Sequence, residues 1–237
     1  LPATDLPLTL TLRQQEILVG HMLGDGCLYR RLPTHNPYLN INRSRADRSY
    51  VEWSYREFLE FILPLVDRDV ADKRTGKTYE QTIFKTRRAE AFTEPYLDWY
   101  PSGGKVIPPK VTFTPLSLAV WFCDDGNART TCAPHRFQLK LSTMGFQEEE
   151  VLTLAEMLKT RFGEHFHPVR DSGGFYINAA DSGARAFFRD IDSSLPPNMS
   201  RKAIWRHTAS RFYENQPIPG RTWLRNRVHP SKTCKSL

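Results

Sequence analysis

The sequence predicts an α+β fold built from two pseudo-symmetric copies of one unit, αββαββα, joined in a single chain. Three observations predict it. The stretches LVGHMLGDG at 18–26 and LAVWFCDDG at 118–126 lie 100 residues apart, and each is a mostly apolar run that ends in Asp-Gly. The same succession of alternating, helix-periodic and turn-forming segments follows each run. A proline-containing stretch, 108–115, separates the copies.

The elements follow in order. Thr11-Leu-Arg-Gln14 reads as a capping box that opens a helix running through Leu18 to Gly24. Thr114 and Pro115 supply an N-cap and a first-turn proline for a second helix over 116–124. Both helices are expected to stop at the glycine after the acid, Gly26 and Gly126. Residues 38–42 and 136–142 alternate polar with apolar, as a strand with one wet face does. Helical patterns come next, 49–62 and 147–162, the latter ending at Gly163. A strand pair follows in each copy. One is 66–74 and 77–86 about Thr75-Gly76; the other is 165–170 and 175–179 about Ser172-Gly173-Gly174. Short helices at 89–92 and 184–187 lead to a lysine in each copy, Lys105 and Lys202, and a last helix is expected over 202–214. The expected division is one repeat over 1–107, a linker over 108–115, a second repeat over 116–216 and a basic tail over 217–237.

Composition narrows the partners. Hydrophobic residues at 40% and charged residues at 25% suit a globular chain. The net charge of +7 and a pI near 9.3 suit a polyanion, because neutralised phosphates release counterions. No apolar run reaches the ~18 residues of a membrane span, and LPATDLPLTL lacks the basic start of a signal peptide. Cys27, Cys123, Cys132 and Cys234 form no CxxC pair and are expected as reduced thiols inside a cell. With 23 Arg, 10 Lys and 8 Asn, the chain lacks the bias of an AT-rich organellar genome. That favours a bacterial cytoplasm over an organelle matrix. No phosphate-binding GxxxxGK[ST] and no GxSxG occurs.

Gly20 and Gly24 fall on one face of the first helix, where small residues allow a second backbone to approach. Either motif alone is equally compatible with an ordinary buried helix. If the two pack about a pseudo-dyad, Asp25 and Asp125 become neighbours. Each acid then sits at the negative end of its own helix and repels the other, an arrangement that is costly without a cation. Carboxylate and carbonyl oxygens suit Mg²⁺, which completes its shell with water and phosphate. Two such ions suit phosphodiester hydrolysis.

The strands carry polar faces: Asn40, Asn42, Lys77, Tyr79, Gln81 and Lys85 in the first copy, and Arg136, Gln138, Lys140, Ser142, Tyr176 and Asn178 in the second. Such side chains read base edges, and a β-ribbon fits a major groove; a solvated sheet face is the other use of the same pattern. His21 reads as a packed helix residue, and His165 with His167 lacks further ligands for a metal site.

The two motifs, with matching strands and lysines from about Leu12 to Lys202, resemble the paired motif copies of the LAGLIDADG homing endonucleases in their single-chain class. The resemblance implies sheets that form a saddle over DNA, with the motif helices at the interface. It implies that Asp25 and Asp125 bind catalytic divalent metal, joined by the carbonyls of Gly24 and Asp124, and that Lys105 and Lys202 are the basic active-site residues. Mg²⁺ is the implied ion; Mn²⁺ would substitute, and Ca²⁺ would support binding without cleavage. The implied enzyme is a monomer that cuts both strands of a long asymmetric DNA target across the minor groove, leaving short 3′ overhangs. The absence of splicing-domain sequence points to an intron-encoded enzyme. An RNA maturase that binds its own intron RNA is the alternative on this fold. A DNA-binding regulator, which would be expected to have lost the acids, is a third. The second motif departs from the first at Val120 and Asp124, where the first has Gly20 and Gly24; register selects Asp125 over Asp124 as the ligand. A water-organising polar residue falls near Arg43 and Thr143, and neither is assigned that role.

Overall fold

The computed structural model describes residues 7–130 and 137–207. Arg136, Cys132, Cys234 and the expected basic tail lie outside the described residues.

Helix α1 spans Leu12–Leu23 and α4 spans Pro115–Asp125. Both open on complete capping boxes. Thr11 Oγ1 accepts from the Gln14 amide at 3.2 Å, and Thr114 Oγ1 accepts from the Ser117 amide at 3.1 Å. Pro115 occupies the first turn of α4, where its missing N–H costs nothing. The helices end differently. α4 runs through its acids to Gly126, as the sequence predicts, whereas α1 stops at Leu23 and is capped by Gly24, before Asp25.

Each motif helix feeds a four-stranded antiparallel sheet. The first contains β1 (Cys27–Tyr29), β2 (Tyr38–Ser44), β3 (Val66–Ala71) and β4 (Thr78–Lys85), in the order β1-β2-β4-β3. The second contains β5 (Gly126–Thr130), β6 (Phe137–Ser142), β7 (Phe166–Asp171) and β8 (Gly174–Ala180), in the order β5-β6-β8-β7. The registers also repeat. Cys27 pairs with Asn40 and Asn127 with Lys140, each partner 13 residues downstream, so β2 and β6 are equivalent position for position.

Helices cover one face of each sheet. In the first copy, α2 (Arg48–Glu57) packs on β2 and β4, burying Val51 and setting Tyr55 edge-on to Phe84 at 5.8 Å. The expected helix over 49–62 is broken at Phe58 and ends in a 3₁₀ turn, Leu59–Phe61, which buries Phe61 against Phe92 at 5.2 Å between rings. The expected short helix at 89–92 is likewise a 3₁₀ turn, followed by α3 (Thr93–Trp99). In the second copy, α5 (Glu148–Phe162) and α6 (Ser182–Ile191) bury Leu154, Leu158, Phe187 and Phe188 over β6 and β8. Lys202 ends a 3₁₀ turn, Pro197–Lys202, rather than opening the predicted last helix. That helix is seen as α7 (Ile204–His207), where Trp205 stacks on Phe188 at 4.3 Å, and the rest of 202–214 lies outside the described residues.

The two copies join through α1 and α4, which run side by side in the same direction: Gly20 faces Ser117 and Val120, and Gly24 faces Asp124. A Cβ at Gly20 would lie 2.5 Å from both the Ser117 carbonyl oxygen and Val120 Cβ. Neither is a flexible end that could move aside. Gly20→Ala should therefore destabilise the chain by about 2–3 kcal/mol, within the range for an overpacked core. Urea melts measure this, and an unchanged midpoint would contradict the close approach.

Candidate active site

The parallel packing of α1 and α4 brings their C-terminal ends together, and with them Asp25, Asp124 and Asp125. The strands on either side start two residues after each acid or sooner, which fixes the acids between the two sheets.

Asp124 and Asp125 have opposite fates. The Asp124 side chain is 0% exposed and turns into the interface between the copies. Its carboxylate bonds His21 Nδ1 at 2.9 Å, accepts from Tyr50 Oη at 3.0 Å and lies 3.3 Å from Arg43 Nη1. His21 in turn bonds Ser54 Oγ at 3.1 Å through its other nitrogen. Burial works against this charge, yet His21, Arg43 and Tyr50 hold the Asp124 carboxyl below its usual pKa. The Tyr50 hydroxyl is pushed well above its own, by burial and by Asp124. His21 is packed, as its helical position predicts, and it also bridges the two copies.

Asp125 faces outward into a concavity of about 570 Å³ on the second sheet, shared with Gln138, Lys140, Ser142, Tyr176 and Asn178. Among the described residues it makes no ion pair. Burial, then the charges of Asp25 and Asp124, push its carboxyl up to about 6. Burial also raises Asp25, against the pull of Arg43. The Asp25 carboxylate is bonded by the Arg43 guanidinium and is 41% exposed.

Each predicted lysine reaches the end of the motif helix in its own copy. Lys105 Nζ donates to the carbonyls of Gly24 at 3.1 Å and Gly26 at 3.0 Å. Lys202 Nζ donates to Phe122, Cys123 and Gly126 at 3.1, 2.6 and 3.0 Å. Both cations thus sit at the C-terminal ends of the motif helices, where the helix dipole favours positive charge. Burial lowers the pKa of both. The Gly24 carbonyl is engaged by Lys105, and the Asp124 carbonyl lies 3.4 Å from Arg43 Nη1.

The polar faces lie where the alternation places them. Asn40 and Lys85 are cross-strand partners, Asn42 Nδ2 donates to Gln81 Oε1 at 3.0 Å, and Tyr79 lies on the same face. Lys77 sits in the β3–β4 turn, fully on the surface. On the second sheet Lys140 is paired with Asn178, and its Nζ lies 3.8 Å from the Tyr176 ring centroid. Pairing also brings Arg68, Asn127 and Arg129 onto these faces, residues that sequence reasoning did not name. Tyr50 and the buried Asp124 carboxylate were missed as well, and Arg43 was named without a role. A charge on β2 at the same parity as Leu39 and Ile41, both fully buried, was the available signal for Arg43.

The donor set fits a hard divalent cation. The groups brought together are carboxylate and carbonyl oxygens, and among the described residues no cation pairs with Asp125. Among the described residues no cluster of three or more His, Cys, Asp or Glu could enclose an ion alone. Water and phosphate would therefore complete the shell, the habit of Mg²⁺.

The charge at Asp125 has a cost when no ion is bound. The folded carboxyl keeps its proton to about pH 6, whereas the unfolded one loses it near 3.8. Stability from this group is complete below 3.8 and is lost as pH rises through 6. The full rise is worth about 3 kcal/mol, and partial solvation reduces it to about 1–2 kcal/mol. In chelator at pH 7.5, Asp125→Asn should be more stable than the parent by that amount, with the advantage gone below pH 4. Denaturant melts at the two pH values check this; equal stability at pH 7.5 would count against an uncompensated charge.

The profile of the LAGLIDADG DNA endonuclease family matches residues 15–187. The chain is 28% identical over 205 residues to "Probable intron-encoded endonuclease 1" of Wickerhamomyces canadensis, covering 83% of this chain and 86% of that protein. It is 27% identical over 191 residues to an uncharacterised protein of Methanocaldococcus jannaschii, covering 79% and 72%. Cytochrome b mRNA maturase bI2 of Debaryomyces hansenii is 28% identical over 160 residues, covering 62% of this chain and 56% of the maturase. Among solved structures, the homing endonuclease I-WcaI bound to its DNA recognition sequence shares the fold, with a TM-score of 0.74, 24% identity and coverage of 82% and 87%. The family profile spans both motif helices and the strands of both sheets, and on that ground the chain belongs to the LAGLIDADG DNA endonuclease family.

Proposed function

We propose that the protein is a site-specific, divalent-metal-dependent homing endonuclease, encoded within an intron, that cuts both strands of a long asymmetric DNA site across the minor groove and leaves short 3′ overhangs. One observation carries the reading: two outward carboxylates, Asp25 and Asp125, meet between two polar sheet faces, with a half-buried lysine at the end of each motif helix.

The two sheets supply the binding surface. Asn40, Asn42, Gln81 and Lys85 on one side, and Gln138, Lys140, Ser142, Tyr176 and Asn178 on the other, present donors, acceptors and positive charge on either flank of the acids. DNA docked on both would lay its backbone over Asp25 and Asp125. When bound, divalent ions supply Lewis-acid neutralisation of the scissile phosphates, Mg²⁺ by preference and Mn²⁺ in its place. The chain's own residues do the rest. Asp25 and Asp125 would hold the ions, with the Gly24 and Asp124 carbonyls beside them. Lys105 and Lys202, fixed by helix-end carbonyls, hold positive charge where negative charge develops on the phosphate.

The repeats over 1–107 and 116–216, joined by 108–115, would act as one monomer with internal two-fold symmetry. The maturase relatives support a second reading, in which the chain binds its own intron RNA and cuts little or no DNA.

Cleavage of a randomised duplex library in Mg²⁺ tests both readings. The endonuclease reading expects a selected site. It also expects Asp25→Asn or Asp125→Asn to abolish double-strand cleavage while binding persists in Ca²⁺. Lys105→Ala or Lys202→Ala should slow single-turnover cleavage at least tenfold. Full cleavage by either Asp variant would sink the assignment of the acids. No cleavage of any duplex, with tight binding to a structured intron RNA, would establish the second reading instead.

A further inference from the structure

The two acids have different surroundings, and the difference comes from one pair of equivalent positions. Three residues past the matched pairs Cys27–Asn40 and Asn127–Lys140, β2 carries Arg43 and the end of β6 leads to Thr143. Thr143 is buried and uncharged, and its hydroxyl donates to the Phe175 carbonyl at 2.7 Å. Arg43 is a cation whose side chain is only 7% exposed. Its Nη1 donates to the Asp25 carboxylate and lies 3.3 Å from Asp124 Oδ1 and 3.4 Å from the Asp124 carbonyl. Its Nη2 lies 3.2 Å from Asp47 Oδ2 and 3.4 Å from the Cys123 carbonyl. Asp47 is held in turn by Arg201, and the guanidinium carbon lies 5.6 Å from the Tyr50 ring centroid.

That guanidinium therefore rests on the Asp25 carboxylate and on the carbonyls of Cys123 and Asp124; the Asp25 carboxylate and the Asp124 carbonyl are oxygens that a divalent ion would also use. Among the described residues no corresponding cation pairs with Asp125. Lys105 reaches the carbonyls of Gly24 and Gly26 and pairs with neither acid. The two halves of the site are equal in carboxylates and unequal in resident positive charge.

We propose that Arg43 is a built-in counter-cation that fills the Asp25 side of the site, so that the free protein takes up one divalent ion, at Asp125, and the Asp25 side accepts another only when Arg43 is displaced. Arg43 is a positioning residue in this scheme, because it sets which acid is open to an ion. The inference rests on the divalent-metal reading above and adds an order of filling to it. A phosphate oxygen from docked DNA is the natural group to draw the guanidinium off Asp25, since planar guanidinium donors match it as well as a carboxylate.

Mn²⁺ titrations of the full chain without DNA test the proposal, with free ion followed by electron paramagnetic resonance and Ca²⁺ binding followed by calorimetry. The expected result is one ion per chain in the parent. Asp25→Asn should change its affinity less than threefold, Asp125→Asn should weaken it at least tenfold, and Arg43→Gln should raise the stoichiometry to two. Two equal ions in the parent, a larger loss from Asp25→Asn than from Asp125→Asn, or a folded Arg43→Gln protein that still binds one ion would each overturn it. Near-UV circular dichroism establishes whether Arg43→Gln folds; if it does not, the two Asp variants decide the matter with Arg43 in place. Two equal ions leave the divalent-metal reading intact, whereas no ion bound to the parent or any variant overturns both.

Discussion

The approach of α1 to α4 leaves no room for a Cβ at Gly20 or Gly24, and that contact sets the chemistry at the centre of the molecule. Two parallel helices pressed this closely deliver two negative dipole ends and three carboxylates to one place. Unit charges a few ångströms apart in a partly buried setting interact by roughly 3–4 kcal/mol, a sizeable share of a domain's net stability. The surrounding hydrogen-bond donors answer that load. Lys105 and Lys202 take the helix-end carbonyls, Arg43 takes Asp25, and His21 with Tyr50 takes Asp124. Asp125 alone is left without an ion pair among the described residues, and burial, with the charges of Asp25 and Asp124, pushes its carboxyl up to about 6.

Which carboxylate stays open is decided by packing. The hole left by Gly24 receives the side chain of Asp124, and every donor on that carboxylate belongs to the other half of the chain: His21 from α1, Arg43 from β2 and Tyr50 from α2. A carboxylate buried this way is costly unless all its partners are present. The ambiguity of Asp-Asp-Gly is thereby resolved in physical terms. Asp124 ties the halves together, and Asp125 faces the polar concavity.

Much of this was legible in the sequence because it is local. The capping boxes at Thr11 and Thr114, the alternation of β2 and β6, and the Gly76 turn (φ 67°) each depend on residues within a few positions of one another. Repetition extended that reading to the meeting of Asp25 with Asp125, since matched copies imply a dyad. The missed features are long-range. Nothing near His21 announces a partner 103 residues away, and nothing near Tyr50 announces one 74 residues away. Arg43 was named by resemblance but given no role, although a local signal for its burial was at hand. The alternation was followed only to Asn42, and one step further would have put a charge in line with Leu39 and Ile41. The early end of α1 has the same origin, because Gly24 departs from the helix where it meets Asp124, a contact no local pattern contains.

The fused arrangement permits what two identical chains could not. A Cβ on residue 24 would lie 2.4 Å from the Cβ of Asp124, so the motif can carry aspartate before its last acid in one copy only if the other copy keeps glycine. In a symmetric dimer both positions would have to be the same residue. Two glycines would leave the hole unfilled, and two aspartates would collide and bury a second charge. One chain holding both copies escapes this constraint and can place an arginine at 43 where the equivalent position holds Thr143. The asymmetry at the centre of the site is therefore a consequence of joining the repeats, and it is built from the same close helix contact that brings the acids together.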